Sequence, residues 1–179
     1  MSPGAQAART VLGAVFDAAG RPALFLKPPS ALAGDGDDIP VPAGLVVEVL
    51  PCLAVSMGGT VRVAADITLP ALLPTLYRPP VRAKGRDGFL PVGGGGVSVK
   101  GLGSPVRWAV TVNGTEVAGG DSEGIIEHHR RIVEEATSFM TLKDDDLVLV
   151  ALGPGAAVER GQPVRVDVGG IGGVSFTLS

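Results

Sequence analysis

A run of cationic side chains is the part of this sequence best suited to chemistry. The stretch 77–91 contains Arg78, Arg82, Lys84 and Arg86 ahead of an Asp-Gly turn. Four cations in so short a span are poorly explained by packing, and they suit an anionic ligand. A solvated basic surface stripe is the alternative interpretation, and both remain open for Lys84. If the run binds a ligand, the expected partner is an anionic small molecule.

The other groups of chemically capable residues favour structural roles. The glycines at 93–96 lack the Gly-Lys-Ser/Thr ending and the following helix of a phosphate-binding loop, so they predict a flexible turn. His128 and His129 are adjacent, and neighbours on a helix point roughly 100° apart, so they do not bind one metal ion together. We expect His129 to face inward and His128 outward. The aspartates within 35–38 and 144–146 are interpreted as polar, solvated turns.

Composition limits the classes of protein to consider. Hydrophobic residues make up 45% of the 179 residues, enough for one domain with a sizeable core. The formal net charge of −3 gives no basic field for nucleic acid, and no apolar stretch reaches membrane-spanning length. We therefore expect neither a nucleic acid nor a membrane as partner. The single cysteine, Cys52, lies in an apolar run and is predicted to be a buried, inert thiol.

The N-terminus has no compact hydrophobic block followed by a cleavage site, so no signal peptide is predicted. The expected location is the cytoplasm. No linker or internal repeat divides the chain, and residues 1–179 are interpreted as a single domain. Residues 1–9 are expected to form a flexible N-terminus.

Short apolar runs separated by glycine and proline predict a mostly β, β-rich α+β domain. Asn113-Gly114 lies between two strand-like runs and predicts a tight hairpin. Pro51 interrupts the apolar run 45–57, so a bulge or a sheet-edge position is expected there. Further strands are predicted over 11–16, 23–26, 147–152, 164–168 and 174–178.

One main helix is predicted after the hairpin. Asp121 or Ser122 is a suitable N-terminal cap, and apolar residues then recur at helical spacing as far as Phe139. Three prolines within 70–79 make a second long helix improbable in that part of the chain.

Several segments resemble the fumarylacetoacetate hydrolase family and follow one another in that family's order. They are Phe25-Leu26-Lys27-Pro28-Pro29-Ser30-Ala31-Leu32, the stretch 77–91, Val112-Asn113-Gly114, Phe139-Met140-Thr141-Leu142 and the ending 164–172. The resemblance covers about 10–179. It implies a rolled mixed β-sheet or barrel, as a homodimer or as a heteromer with a paralogous subunit. The implied activity is that of a lyase or isomerase of 2-oxo (enol) di- or tricarboxylates from aromatic ring cleavage. The two enzymes of this kind that the resemblance implies are 5-oxopent-3-ene-1,2,5-tricarboxylate decarboxylase and 2-hydroxyhepta-2,4-diene-1,7-dioate isomerase.

The same resemblance assigns roles to individual residues. Asp66 matches the aspartate of the family's metal site, and Lys84 matches the lysine that contacts substrate, so these two are the predicted catalytic residues. The family's paired glutamates fall on Leu50 and Cys52, and Glu48, one residue pair earlier, is a weak substitute as a metal ligand. The predicted substrate-binding residues are Arg82, Arg86, Lys27, Tyr77 and Gly153, the last in a Leu-Gly-Pro motif that lacks the family's threonine.

The resemblance implies Mg²⁺ or Mn²⁺, held by three carboxylates and stabilising an enolate. Because the paired glutamates are missing, binding of no metal ion is the alternative. Two functions follow: an active enzyme that uses Lys84, Arg82 and Asp66 with little help from a metal, or a catalytically degenerate member. The degenerate member would pair with a catalytic paralogue or serve another reaction. A third class, a binding module without chemistry, would keep the basic run alone.

Overall fold

The computed structural model of the chain describes residues 10–73 and 80–179. Strands dominate these ranges, together with one α-helix of thirteen residues and one α-helix of a single turn. The strands are β1 Val11–Phe16, β2 Pro22–Lys27, β3 Leu32–Ala33, β4 Asp38–Ile39, β5 Val47–Ser56, β6 Thr60–Thr68, β7 Leu90–Pro91, β8 Val97–Ser98, β9 Val106–Val112, β10 Thr115–Ser122, β11 Leu147–Ala151, β12 Ala156–Val158, β13 Pro163–Val168 and β14 Gly172–Leu178. The α-helices are α1 Val81–Lys84 and α2 Ile125–Thr137, and short 3₁₀ helices lie at Pro29–Ala31, Pro70–Leu72 and Val99–Gly101. The predicted mostly β fold with one main helix is confirmed.

The strands form two main sheets and one short pair. The first sheet has the order β2-β1-β11-β5-β6-β8, with β12 also paired to β5, and it is mixed because β1 runs parallel to β11. The second sheet has the order β10-β9-β13-β14-β4. The short strands β3 and β7 form a parallel pair of their own.

In the second sheet, Asn113 and Gly114 both have positive φ, 50° and 78°, which confirms the predicted hairpin between β9 and β10.

Apolar side chains alternate along the strands and form two clusters. The larger cluster lies between the two main sheets and includes Ile67, Val110 and Phe176. The smaller cluster lies on the other face of the first sheet and consists of Val11, Cys52, Ala54, Ala64, Leu90, Val92, Leu147 and Leu149. Cys52 is buried there, as predicted. The protein therefore has apolar packing on both faces of its larger sheet.

The first sheet is rolled. Strands β2 and β6 are four positions apart in its order, which corresponds to roughly 19 Å in a flat sheet. Even so, the Nζ atom of Lys27 on β2 lies 2.7 Å from Oδ1 of Asp66 on β6. A lysine side chain does not span the flat distance, so the sheet curls until its first and fifth strands face each other. The rolled mixed sheet is the predicted architecture.

Pro51 lies in a central strand, so the edge position is wrong, but the alternative prediction of an irregularity in the pairing agrees with the break between the β11 and β12 ladders. β5 pairs with β6 on one side and with both β11 and β12 on the other. The carbonyl of Pro51 accepts a hydrogen bond from the amide of Leu152, in the gap between the parts of β5 that pair with β11 and with β12. The nitrogen of a strand residue points to the same side as its carbonyl, so the missing N–H of Pro51 falls where no ladder partner is required.

The main helix begins later than predicted. Asp121 and Ser122 belong to β10, where Ser122 pairs with Val106, and the Ser122 hydroxyl donates to the carbonyl of Leu152 instead of capping a helix. The residue before α2 is Gly124, whose φ of 68° only glycine adopts readily. The helix ends at Thr137, so Phe139, predicted on its apolar face, lies beyond it and is 67% exposed. Tertiary pairing of β10 overrides the local capping signal.

Other details of the sequence interpretation also change. His129 is half-buried as expected, whereas His128 packs its ring against Phe16, with 4.9 Å between ring centroids, and does not simply face outward. The turn at 144–146 is not wholly solvated, because Asp146 is buried and accepts hydrogen bonds from the amides of Thr10 and Lys143. None of the helices in the described ranges combines the length and hydrophobicity that crossing a bilayer requires.

Candidate functional site

Helix α1 directs the side chain of Lys84 into the protein, whereas the neighbouring Arg82 and Arg86 are exposed. It is a single turn that starts after Pro80, and the amide of Lys84 donates to the Pro80 carbonyl at 2.9 Å. Lys84 is buried, whereas Arg82, two residues earlier, and Arg86, two residues later, are exposed. The cationic run therefore supplies one inward ammonium group beside an outer basic surface.

The ammonium group of Lys84 contacts side chains at the end of β6. Asp66 and Thr68 are two residues apart in the strand and so lie on the same face, while Ile67 between them packs in the main core. The Nζ atom of Lys84 donates to Asp66 Oδ2 and to Thr68 Oγ1, both at 2.6 Å. The predicted catalytic pair, Lys84 and Asp66, is thus in direct contact.

A second lysine approaches the same carboxylate from β2. The Lys27 side chain is 0% exposed, and its Nζ atom lies 2.7 Å from Asp66 Oδ1. The same Nζ donates to the carbonyl of Phe89 at 2.6 Å and to that of Ile67 at 3.3 Å. We call Lys27, Asp66, Thr68 and Lys84 the lysine–aspartate cluster. Lys27 is one of the predicted substrate-binding residues, and in the structure it is fully buried against Asp66. Its role toward a substrate stays a prediction.

The cluster carries more positive than negative charge. Two ammonium groups face one carboxylate, and the ring of Phe25 lies beneath Lys84, with its centroid 4.8 Å from Nζ. Burial lowers the pKa of Lys27 from its ordinary value, while the charge of Asp66 opposes that change. Two backbone carbonyl oxygens accept hydrogen bonds from Lys27 Nζ, and Asp66 Oδ1 lies within ion-pair distance of it. With both lysines protonated, the cluster has a formal charge of +1, and Lys84 is its outermost group.

The residues beside Asp66 do not form a set of metal ligands. Leu50 lies directly opposite Asp66 in the strand pairing, and Cys52 lies opposite Ala64. Burial, together with the nearby Asp66 carboxylate, raises the pKa of the Cys52 thiol, so no thiolate is available for a metal ion. Both Asp66 oxygens face ammonium groups, and the described ranges contain no group of three His, Cys, Asp or Glu side chains that could hold a metal ion. The donor set does not fit the Mg²⁺ or Mn²⁺ site that the resemblance implied.

Glu48, the weak substitute ligand, lies one pair further along β5. It stands opposite Thr68 on the face that carries the cluster, and its side chain is half-buried. The side chain extends over Gly155, where an added Cβ would lie 2.6 Å from Glu48 Cδ. Because Gly155 has no side chain, the Glu48 side chain has room at the rim of the site.

The other predicted substrate-binding residues are spread around the cluster. Arg82 is exposed on α1. Arg86 lines an open cleft of about 500 Å³ with Pro40, Val41, Pro42 and Asp87. Gly153 packs on the ring of Trp108, where an added Cβ would lie 2.7 Å from the Cε2 atom. Tyr77 lies outside the described residues. Substrate binding by these residues stays a prediction.

Thr68 and Phe25 belong to the site but were missed in the sequence. Side chains two residues apart in a strand lie on the same face, so the strand pattern alone was sufficient to place Thr68 beside Asp66. The same period links Phe25 to Lys27 on β2. No local pattern places Phe25 against Lys84, because that contact depends on how far the sheet rolls.

Comparison with known proteins identifies relatives of the chain. A family model described as "Fumarylacetoacetate (FAA) hydrolase C-terminal" matches residues 59–179. The chain is 28% identical over 159 residues to the 4-hydroxyphenylacetate degradation bifunctional isomerase/decarboxylase of Escherichia coli. The match covers 79% of the chain and 36% of that relative, so the chain spans about a third of the relative's length.

Solved structures share the fold at lower sequence identity. The 5-carboxymethyl-2-hydroxymuconate delta-isomerase of Mycobacterium smegmatis has a TM-score of 0.78 at 23% identity, covering 96% of this chain and 78% of that one. The 2-hydroxyhepta-2,4-diene-1,7-dioate isomerase of Mycobacterium marinum has a TM-score of 0.79 at 23% identity, covering 96% and 74%. Fumarylpyruvate hydrolase of Pseudomonas aeruginosa, solved with Mn²⁺ and pyruvate, has a TM-score of 0.73 at 22% identity, covering 96% and 91%.

These structures establish the fold, and the family model covers more than half of the chain, including Asp66, Thr68 and Lys84. On that ground the chain belongs to the fumarylacetoacetate hydrolase family.

Proposed function

We propose that the protein is a lyase or isomerase of 2-oxo (enol) di- or tricarboxylates derived from aromatic ring cleavage. The 2-hydroxyhepta-2,4-diene-1,7-dioate type of reaction is the specific candidate. The observation that carries the proposal is the ammonium group of Lys84, held by Asp66 and Thr68 at 2.6 Å each. The names of the E. coli relative and of the two mycobacterial isomerases support this substrate class.

Lys84 is suited to stabilise negative charge on a substrate oxygen. An ammonium group has three N–H donors, and within the described ranges two of those on Lys84 have oxygen acceptors. Its side chain is 10% exposed, in contrast to the fully buried Lys27. In a proton shift of a 2-hydroxydiene acid, charge develops on the 2-oxygen, and a fixed cation beside it lowers the barrier. Asp66 and Thr68 hold that cation in place, so little reorganisation is needed during the reaction.

The proposal is tested by turnover of 2-hydroxyhepta-2,4-diene-1,7-dioate, followed by the loss of its diene absorbance. We expect the wild-type protein to accelerate ketonisation and Lys84→Met to remove that acceleration by at least about tenfold. Lys100→Met changes an exposed lysine away from the cluster and should leave the rate unchanged. Equal rates for wild type and Lys84→Met would contradict the proposal.

A second candidate function is a catalytically degenerate member that binds an anionic ligand or pairs with a catalytic paralogue. It is favoured by Leu50 and Cys52, which face the cluster side of β5 where carboxylate ligands were expected. This candidate predicts no turnover by the purified protein and retained binding of a small dianion such as oxalate at Lys84. As a homodimer, the purified protein should exceed the monomer mass of 18.0 kDa in light scattering, whereas as a heteromer it should do so only after the paralogue is added.

A further inference from the structure

The surroundings of Lys27 resemble a small cation site that the protein fills with its own side chain. One carboxylate oxygen, from Asp66, and two backbone carbonyl oxygens, from Phe89 and Ile67, lie within 2.6–3.3 Å of Nζ. Hard cations are bound by the same kinds of oxygen. The ammonium group donates hydrogen bonds to the two carbonyl oxygens and forms an ion pair with Asp66 Oδ1, which has no hydrogen-bond partner among the described residues.

We propose that Lys27 is a built-in counter-cation that takes the place of a divalent metal ion toward Asp66. Lys84 is thereby left to bind an anionic oxygen of the ligand directly. The part of this inference that concerns Lys27 and Asp66 is independent of the proposed function. The part that concerns the ligand deepens the proposed function and rests on it.

Charge opposes the binding of a divalent ion in this arrangement. An ion bound to Asp66 would lie beside both Lys27 and Lys84, and like charges at such short range repel strongly in a buried site. The neighbouring positions on β5, Leu50 and Cys52, supply no carboxylate that would offset this repulsion. The ion would also have to displace two contacts that Asp66 already makes.

The same charge count indicates what the site accepts. Two ammonium groups and one carboxylate leave a single positive charge, and one carboxylate or enolate oxygen of a ligand neutralises it. Lys27 has no exposure, so that oxygen is placed on the side of Lys84 away from Asp66 and Thr68. The site is therefore suited to one anionic oxygen of a ligand at Lys84.

The first test measures metal binding by the wild-type protein without any ligand. The protein is treated with EDTA, desalted and titrated with MnCl₂, and free Mn²⁺ is followed by its electron paramagnetic resonance signal. We expect no stoichiometric loss of free signal up to about 1 mM. Stoichiometric Mn²⁺ binding that Asp66→Asn abolishes would overturn the proposal, because it would make Asp66 a metal ligand in solution.

The second test removes the built-in cation and supplies it again. Lys27→Ala deletes the equivalent of propylammonium, and we expect the melting temperature to fall by roughly 6–20 °C. Propylammonium chloride should restore part of that loss, whereas sodium chloride at equal ionic strength should not. Lys100→Ala, at an exposed position, should show neither effect. An unchanged melting temperature, or equal recovery with both salts, would contradict the assigned role.

The Mn²⁺ titration remains decisive if Lys27→Ala does not fold, because it uses the wild-type protein. Neither measurement depends on turnover. A protein that fails to convert the dienoate but excludes Mn²⁺ and shows propylammonium rescue would refute the proposed function alone. A protein that converts the dienoate and binds Mn²⁺ through Asp66 would refute the role of Lys27 alone.

Discussion

The Nζ atom of Lys84 on α1 lies 2.6 Å from Oδ2 of Asp66 on β6, and this ion pair links the single-turn helix to the rolled sheet. The two residues are 18 positions apart in the chain, and the Asp66 side chain is only 3% exposed. Burial of an ion pair costs solvation, and that cost is met only if further polar contacts complete the arrangement. Thr68 and Lys27 provide those contacts, so the four residues are expected to act as a unit.

Replacing Asp66 by Asn should destabilise the fold strongly. The substitution leaves two buried ammonium groups without a counter-charge, and we expect a loss of about 3–5 kcal/mol in the free energy of unfolding. Urea unfolding followed by the fluorescence of Trp108, the only tryptophan, measures the change. Asp167→Asn breaks an exposed ion pair with Arg165 and should cost less than about 1 kcal/mol. Similar losses for both variants would show that the cluster contributes little to stability.

Restoring the missing carboxylates should create metal binding. Leu50 and Cys52 lie on the face of β5 that carries Asp66 opposite, so Leu50→Glu combined with Cys52→Glu places three carboxylates together. We expect the double variant to bind Mn²⁺ with a stoichiometry near one, measured by the same resonance titration, because carboxylates suit this ion. Leu50→Gln combined with Cys52→Gln is the uncharged control. If the glutamate variant folds and does not bind Mn²⁺, the assigned register of β5 against β6 does not describe the site.

Replacing Gly153 by Ala should destabilise the protein through packing against Trp108. An added Cβ would overlap the indole ring, and overpacking of this kind costs about 1–3 kcal/mol. Gly103→Ala is the matched control, because no atom lies within 4 Å of its added Cβ. Thermal unfolding compares the two. Equal stability would show that the Trp108 ring accommodates the added methyl group, which would contradict the packing role of Gly153.

His129 should make stability depend on pH. Burial lowers the pKa of His129 from its ordinary value of 6.5, and its Nε2 atom has no hydrogen-bond partner among the described residues. The unfolded chain therefore binds a proton at higher pH than the folded chain. Stability should fall as pH decreases through about 6.5 toward the lower folded-state pKa. His129→Leu should flatten that part of the curve in urea unfolding at pH 7, 6 and 5. An unchanged slope would mean that other groups set the pH dependence.

Much of the fold could be predicted from local sequence, because strand periodicity and the Asn113-Gly114 turn act over short distances. The start of α2 could not, since Asp121 and Ser122 suit both a helix cap and the strand that they join. Of the two positions predicted for Pro51, the sheet edge was wrong for a similar reason. A proline is tolerated in a central strand where two partner strands leave a gap, and that gap exists only in the folded sheet.

The site shows the same division. The family resemblance located Asp66 and Lys84, and the structure brings them into contact. The pairing of Lys27 with Asp66 had no local signal, because it depends on the first and fifth strands of the sheet meeting after the sheet rolls. Long-range closure is a property of the whole fold, so motif spacing along the chain does not reveal it.

Direct anion binding at Lys84 is tested most directly by calorimetric titration of oxalate, an enolate-like dianion, in buffer containing EDTA. We expect the wild-type protein to bind oxalate without added metal, and Lys84→Met to weaken the affinity at least about tenfold while Lys100→Met leaves it unchanged. Absence of binding by the wild-type protein in EDTA, or equal affinity in wild type and Lys84→Met, would contradict the account.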